Sequence, residues 1–162
     1  MPAAKQYKSK VQLTAAGFAD LQAELTELKD IKLPQVINRV AEARAHGDLS
    51  ENAEYSNAKE EQQFVESRIS EIEDILNTAQ IVKATSSHTS IGIGSTVKVI
   101  IKGKGQKAFT YHVVGEFEAD PTDGKISADS PLGRALLNKK EGDEVKVKAP
   151  AGEIIYLIKD IE

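Results

Sequence analysis

The run Gly47-Asp48-Leu49-Ser50-Glu51-Asn52-Ala53-Glu54-Tyr55 sets two carboxylates, Asp48 and Glu51, three residues apart beside a glycine. Carboxylates are hard oxygen donors. Mg²⁺ accepts one or two of them when waters and substrate phosphates fill its remaining positions. A cation held in this way can activate water and stabilise charge during phosphodiester cleavage. Two carboxylates cannot close a cage, so that chemistry requires another macromolecule's active centre to complete the site. The same spacing also reads as a capping box, with Asp48 at the helix N-cap, Glu51 three positions later, and both complementing the helix dipole. His46 fits the last turn of the preceding helix, where a cation is favoured. Spacing alone leaves both readings open.

Other motifs carry less chemistry. Gly92-Ile93-Gly94 lacks the third glycine of a dinucleotide fingerprint, and Gly103-Lys104-Gly105 lacks the spacing and ending of a phosphate loop, so both read as turns. Asp120-Pro121-Thr122-Asp123-Gly124 lacks the third alternating ligand and distal Glu of a calcium loop and reads as a hairpin turn. His88 falls in a polar run and His112 in a strand, as a solvated or packed side chain.

The acidic pair must be positioned by helices. Phe18, Leu21, Leu25 and Leu28 recur at three and four residues, and after a phase shift near Pro34 the stripe resumes at Leu33, Val36, Val40 and Ala43. Thr14 is the expected N-cap, and Pro34 is expected to bend or shift the helix without ending it. Val65, Ile69, Ile72, Leu76 and Ala79 form the seam of a second helix. Each stripe is narrow, so the simplest partner for each helix is the other, folded back antiparallel at His46-Gly47-Asp48-Leu49-Ser50. Arms of about 32 residues at about 1.5 Å each predict a rod on the order of 45–50 Å long. Asp48 and Glu51 then stand at its tip, with Arg44 one turn before and Lys59 about two turns after.

The rest of the chain differs in texture. Residues 83–162 hold nine of the eleven glycines and several β-rich runs: Val97 to Ile101, Phe109 to Val114, Val145 to Lys148 and Ile154 to Ile158. Ser130-Pro131-Leu132-Gly133-Arg134-Ala135-Leu136-Leu137 has a serine cap, a first-turn proline and helical apolar spacing. The expected class is α+β: a helical hairpin over residues 1–83, a linker over 84–90, and a small antiparallel sheet domain with one short helix over 91–162.

Composition limits the alternatives. The 162 residues carry 21 Lys+Arg and 25 Asp+Glu, and aromatics make up only 5%, which argues against a broad base-stacking platform. The absence of cysteine excludes disulfides, thiol nucleophiles and thiolate metal sites. The longest apolar stretch, Ile154 to Ile158, is far short of the roughly 20 residues that span a bilayer. A soluble, cytoplasmic protein without membrane contact is expected.

The run from Ala43 to Tyr55, followed by Ala58-Lys59-Glu60, closely resembles the tip of the bacterial Gre transcript cleavage factors, of the GreA type. The resemblance extends over nearly the whole chain, through Leu13-Thr14, Glu24-Leu25, Ala79-Gln80-Ile81-Val82, Ser130 to Leu136, Gly142-Asp143-Glu144-Val145 and Ala149-Pro150-Ala151-Gly152. It implies an N-terminal antiparallel coiled coil and a C-terminal FKBP-like domain. It also implies binding to bacterial RNA polymerase, insertion of the coiled coil through the secondary channel, and stimulated Mg²⁺-dependent cleavage of backtracked RNA near its nascent 3′ end. By motif, Asp48 and Glu51 would share a Mg²⁺ with the polymerase, and none would be tightly bound to the free protein. Asn52, Glu54 and Tyr55 would support the tip. Arg44 and Lys59 would meet the RNA, the alternative being ordinary solvated charges. Asp129, Ser130 and Pro131 resemble the polymerase-docking loop. On this reading the chain is an accessory factor without a small-molecule substrate. Two competitors remain: a channel-binding regulator that does not stimulate cleavage, and a peptidyl-prolyl isomerase suggested by the fold of the second domain alone.

Overall fold

A computed structural model describes residues 10–45, 53–83, 89–103, 105 and 107–162. The chain forms two packing units. One is built from Phe18–Ala79, and the other joins Lys10–Gly17 to Gln80–Glu162.

The first unit is the helical hairpin. Helix α1 spans Ala15–Glu27, a π-helical turn covers Leu28–Lys32, α2 spans Leu33–Ala45 and α3 spans Ala53–Thr78. The expected phase shift therefore takes the form of a π turn, closed by the Leu33 N–H donating to the Leu28 carbonyl. A π turn takes up one residue more than an α turn. It absorbs the five-residue step from Leu28 to Leu33 and keeps both leucines against the cluster of Val36, Val65 and Ile69. Pro34 follows as the second residue of α2, inside a continuous helical run, and the π turn directly before it is the kind of local widening that accommodates a proline ring and its missing N–H. On α3 the buried residues are Ala58, Val65, Ile69, Ile72 and Ile75. The seam thus ends on Ile75 where the sequence pointed to Leu76, and Ala79 lies in a strand rather than in the helix. Ion pairs Lys29–Glu73, Arg39–Glu61 and Arg68–Glu24 lace the flanks. The Arg68 guanidinium is held above its ordinary pKa, chiefly by its hydrogen bond to Glu24.

Strands β1 (Val11–Leu13) and β2 (Ala79–Ile81) pair with each other at the two ends of the hairpin sequence. The sequence reading placed everything before residue 84 with the hairpin, whereas Lys10–Gly17 and Gln80 onward pack in the second unit. The reason is visible at Thr14. Its hydroxyl accepts the Gly17 N–H at 3.0 Å, as an N-cap should. Its own N–H donates to Glu118 Oε2 at 2.8 Å, and its hydroxyl donates to Glu118 Oε1. Glu118 also accepts the Gly115 N–H at 3.2 Å. A carboxylate 104 residues away thus completes the cap of α1.

The second unit is a five-stranded sheet of β3 (Thr96–Ile101), β4 (Ala108–Val114), β5 (Lys125–Ser127), β6 (Glu144–Ala149) and β7 (Gly152–Ile161), in the order β5-β4-β3-β7-β6. Four strands run antiparallel to their neighbours, but β5 pairs parallel to β4, so the sheet is mixed and not wholly antiparallel. The correction follows from the connection between them. A 3₁₀ turn at Glu116–Glu118 leads to a second at Pro121–Asp123, which Gly124 closes at φ 71°. The expected hairpin at Asp123-Gly124 shrinks to one bridge, Asp120 with Lys125, before the chain returns along β4 in its own direction.

Helix α4 (Pro131–Leu136) packs against both β5 and β6, the two edge strands, so the sheet curls around it. Leu136, Val97, Val99, Val113 and Ile158 are completely buried in the resulting core. Burial of each such side chain is worth about 1.5–3 kcal/mol. Among the described residues, no helix is long and apolar enough to cross a membrane.

Candidate functional site

The site begins where α2 ends. Helices α2 and α3 run antiparallel, and the Arg39–Glu61 ion pair locks their register just before the connection. Nearer the connection, Ala43 and Ala58 are both buried, small enough to let the two helices stay close. Arg44 is exposed in the last turn of α2, where a cation suits the helix dipole. Glu54 is exposed in the first turn of α3, where an anion suits it, and Tyr55 beside it is half-buried. Lys59 is exposed, and its ammonium donates to Gln62 Oε1 at 3.1 Å, while Gln62 donates onward to Glu66 Oε1 at 2.8 Å. Its hydrogen-bond partner here is thus a neutral amide. Asp48, Glu51 and Asn52 lie outside the described residues, as does His46. Residues 46–52 are the chain that joins Ala45 to Ala53.

The second cluster, Asp129, Ser130 and Pro131, lies at the entrance of α4. Ser130 is its N-cap: the hydroxyl accepts the Gly133 N–H at 3.0 Å and donates to the Ser127 carbonyl at 2.6 Å. Pro131 takes the first helical position, exposed. Asp129 is exposed, its N–H donates to Ser127 Oγ at 3.0 Å, and its carboxylate stands 3.7 Å from Arg134. Two residues absent from the sequence reading's site shape this turn. Ser127 supplies both the hydroxyl and the carbonyl that hold it. Gly133 allows the close approach, since a Cβ there would stand 2.0 Å from the Ser127 carbonyl oxygen. The Ser-Pro-x-Gly spacing was the available signal for Gly133; nothing local marked Ser127.

Among the described residues, no group of three or more His, Cys, Asp or Glu side chains could hold a metal ion. Residues 11–81 match the family model for the N-terminal part of a transcription elongation factor, and residues 86–162 match the model for the C-terminal part of the GreA/GreB transcription elongation factors. The chain belongs to the GreA/GreB family of transcription elongation factors.

Relatives of this family lie close over nearly the full length. Transcription elongation factor GreA of Thioalkalivibrio sulfidiphilus is 50% identical over 152 residues, covering 93% of this chain and 96% of the relative. That of Alkalilimnicola ehrlichii is 48% identical over 155 residues, covering 94% and 98%, and that of Ruegeria pomeroyi is 44% identical over 153 residues, covering 94% and 97%. Among solved structures, GreA factor homolog 1 of Thermus thermophilus is 30% identical, with 94% and 99% of the two chains covered and a TM-score of 0.44. As a GreA/GreB elongation factor, the chain acts in transcription; the N-terminal family segment contains the helical hairpin together with β1 and β2, and the C-terminal segment contains the five-stranded sheet.

Proposed function

We propose that this elongation factor binds RNA polymerase, enters its secondary channel with the helical hairpin, and stimulates the polymerase's own cleavage of backtracked RNA. One observation carries the reading: antiparallel α2 and α3 end at Ala45 and Ala53, so the residues joining them carry Asp48 and Glu51. The donor set fits the expected cation, since Mg²⁺ accepts two carboxylates when phosphate and water supply the rest. Held between polymerase and hairpin, the ion would lower the pKa of an attacking water and offset charge on the scissile phosphate. Asp48 and Glu51 orient that water and supply negative charge at the cation. Two carboxylates alone bind Mg²⁺ weakly, so the free protein holds none tightly. Asn52, Glu54 and Tyr55 support the tip, and Arg44 and Lys59 attract the displaced RNA through its phosphates. Asp129, Ser130 and Pro131 dock the sheet unit on the polymerase, the exposed Asp129 and Pro131 being presented by a turn fixed from below by Ser127.

The test is RNA cleavage in a stalled, backtracked complex with Asp48→Asn and Glu51→Gln. Asn still caps a helix and Gln still closes a capping box, so folding is retained while the charge is lost. Cleavage should fall about a hundredfold, the scale of losing one transition-state charge stabiliser, with polymerase binding unchanged. Full cleavage by both variants would make the pair structural. Wild type that binds without cleaving would make the chain a channel-blocking regulator.

A further inference from the structure

Val36 and Val65 meet in the buried seam of the hairpin, and each has an exposed apolar neighbour. Ile37 follows Val36 and is 45% exposed; Phe64 precedes Val65 and is 73% exposed. Among the described aromatics, Phe64 is the exposed one. Successive helical residues turn by about 100°. In antiparallel helices, a step forward on α2 and a step back on α3 therefore lead to opposite broad faces of the two-helix ribbon. The Arg39–Glu61 pair lies on the flank beneath Phe64, which places Ile37 across from it. At one level of the rod, each face thus carries one large apolar side chain.

A flat partner can cover one of these faces but not both. An enclosing partner covers both. The charge around the pair narrows the partner further, because residues 18–79 hold 14 acidic and 6 basic side chains, a net charge of −8, with Glu60, Glu61 and Glu66 within four residues of Phe64. Such a field favours a cationic protein lining along the hairpin, with nucleic acid met only at Arg44 and Lys59 towards the connection.

We propose that Ile37 and Phe64 are opposed anchors, seating in apolar notches on two facing walls of a basic-lined protein channel and fixing how deeply the hairpin enters. The proposal rests on the functional reading above, under which the channel is that of RNA polymerase. Aromatic side chains entering such notches are the residue type that dominates interface energetics.

The test is equilibrium binding of the full-length protein to a backtracked polymerase complex, comparing wild type with Ile37→Ala, Phe64→Ala, the double variant and Phe64→Leu. Each alanine should weaken binding about five- to tenfold, and the double variant by about the product, because the two sites are independent. Phe64→Leu keeps apolar bulk and should bind close to wild type. The melting temperature of the free protein should stay unchanged in all four, since both side chains are exposed. Alanine variants that bind within about twofold of wild type would overturn the anchors while leaving the functional reading intact. Weakening by one alanine only would overturn the enclosure in favour of a one-sided contact. Wild type that fails to bind polymerase would overturn the functional reading and the anchors together.

Discussion

Glu118 stabilises the start of α1 from a distant part of the chain. Its carboxylate accepts both Thr14 donors and the Gly115 N–H, so no local interaction can replace it. Glu118→Ala leaves two part-buried Thr14 donors unpaired and is expected to cost about 1–3 kcal/mol, measured as a lower denaturation midpoint. Glu118→Gln, which keeps an acceptor, should lose less. Gly17→Ala should act through the same carboxylate, since a Cβ at Gly17 would stand 2.0 Å from Glu118 Oε1 and push it off Thr14. A midpoint for Glu118→Ala equal to wild type would remove the carboxylate from the account of this cap. Thr14 was legible in the sequence because a helix cap is a local pattern. Glu118 was not, because its role exists only after the fold brings the two segments together. Asp48 and Glu51 were read from residue type and motif alone, and they lie outside the described residues.

Among the elements, the π turn at Leu28–Lys32 is the feature with the plainest cause. The step from Leu28 to Leu33 is one residue too long for an α-helical stripe, and the backbone accommodates it so that both leucines reach the seam. Deleting Ile31, which is exposed, shortens that step to four residues and lets the helix run through as α. With Pro34 then inside an uninterrupted α-helix, where it removes a hydrogen bond and crowds the carbonyl one turn back, the variant should melt lower than wild type in a thermal scan followed by circular dichroism, and adding Pro34→Ala should recover the loss; a deletion variant as stable as wild type would mean that the turn serves register alone. The shift was visible in the apolar spacing, although spacing did not say whether a bend or a π turn would absorb it. The choice of Ile75 over Leu76 was invisible, because at the end of α3 adjacent residues compete for burial and tertiary packing decides. The parallel placement of β5 was hidden as well. Three residues carry little pattern of their own, and direction depends on a connection made of two 3₁₀ turns.

At the scale of the whole molecule, alkaline pH tests the sheet unit. Burial raises the pKa of the Tyr111 phenol, with a smaller contribution from Tyr156, and Lys98 is held above the ordinary lysine value by Glu162 and Asp160. Both shifts have the same sign. In each case the folded chain keeps a proton that the unfolded chain releases, so the stabilisation is complete below the unfolded pKa, near 10, and is lost as pH rises through the folded value. Thermal unfolding from about pH 9 to 11.5 should therefore show a falling midpoint, and Tyr111→Phe should flatten the fall; an unchanged slope in that variant would mean that the phenol does not drive it. The two-part organisation was legible from glycine content and periodicity, but its boundaries were not, since strands of three residues at the hairpin ends join the second unit by pairing across almost seventy residues of sequence. That pairing makes the hairpin a cassette inserted into the other unit's chain rather than an arm hung from one hinge. A hairpin of different length or tip chemistry could be spliced between β1 and β2 without interrupting the sheet that follows.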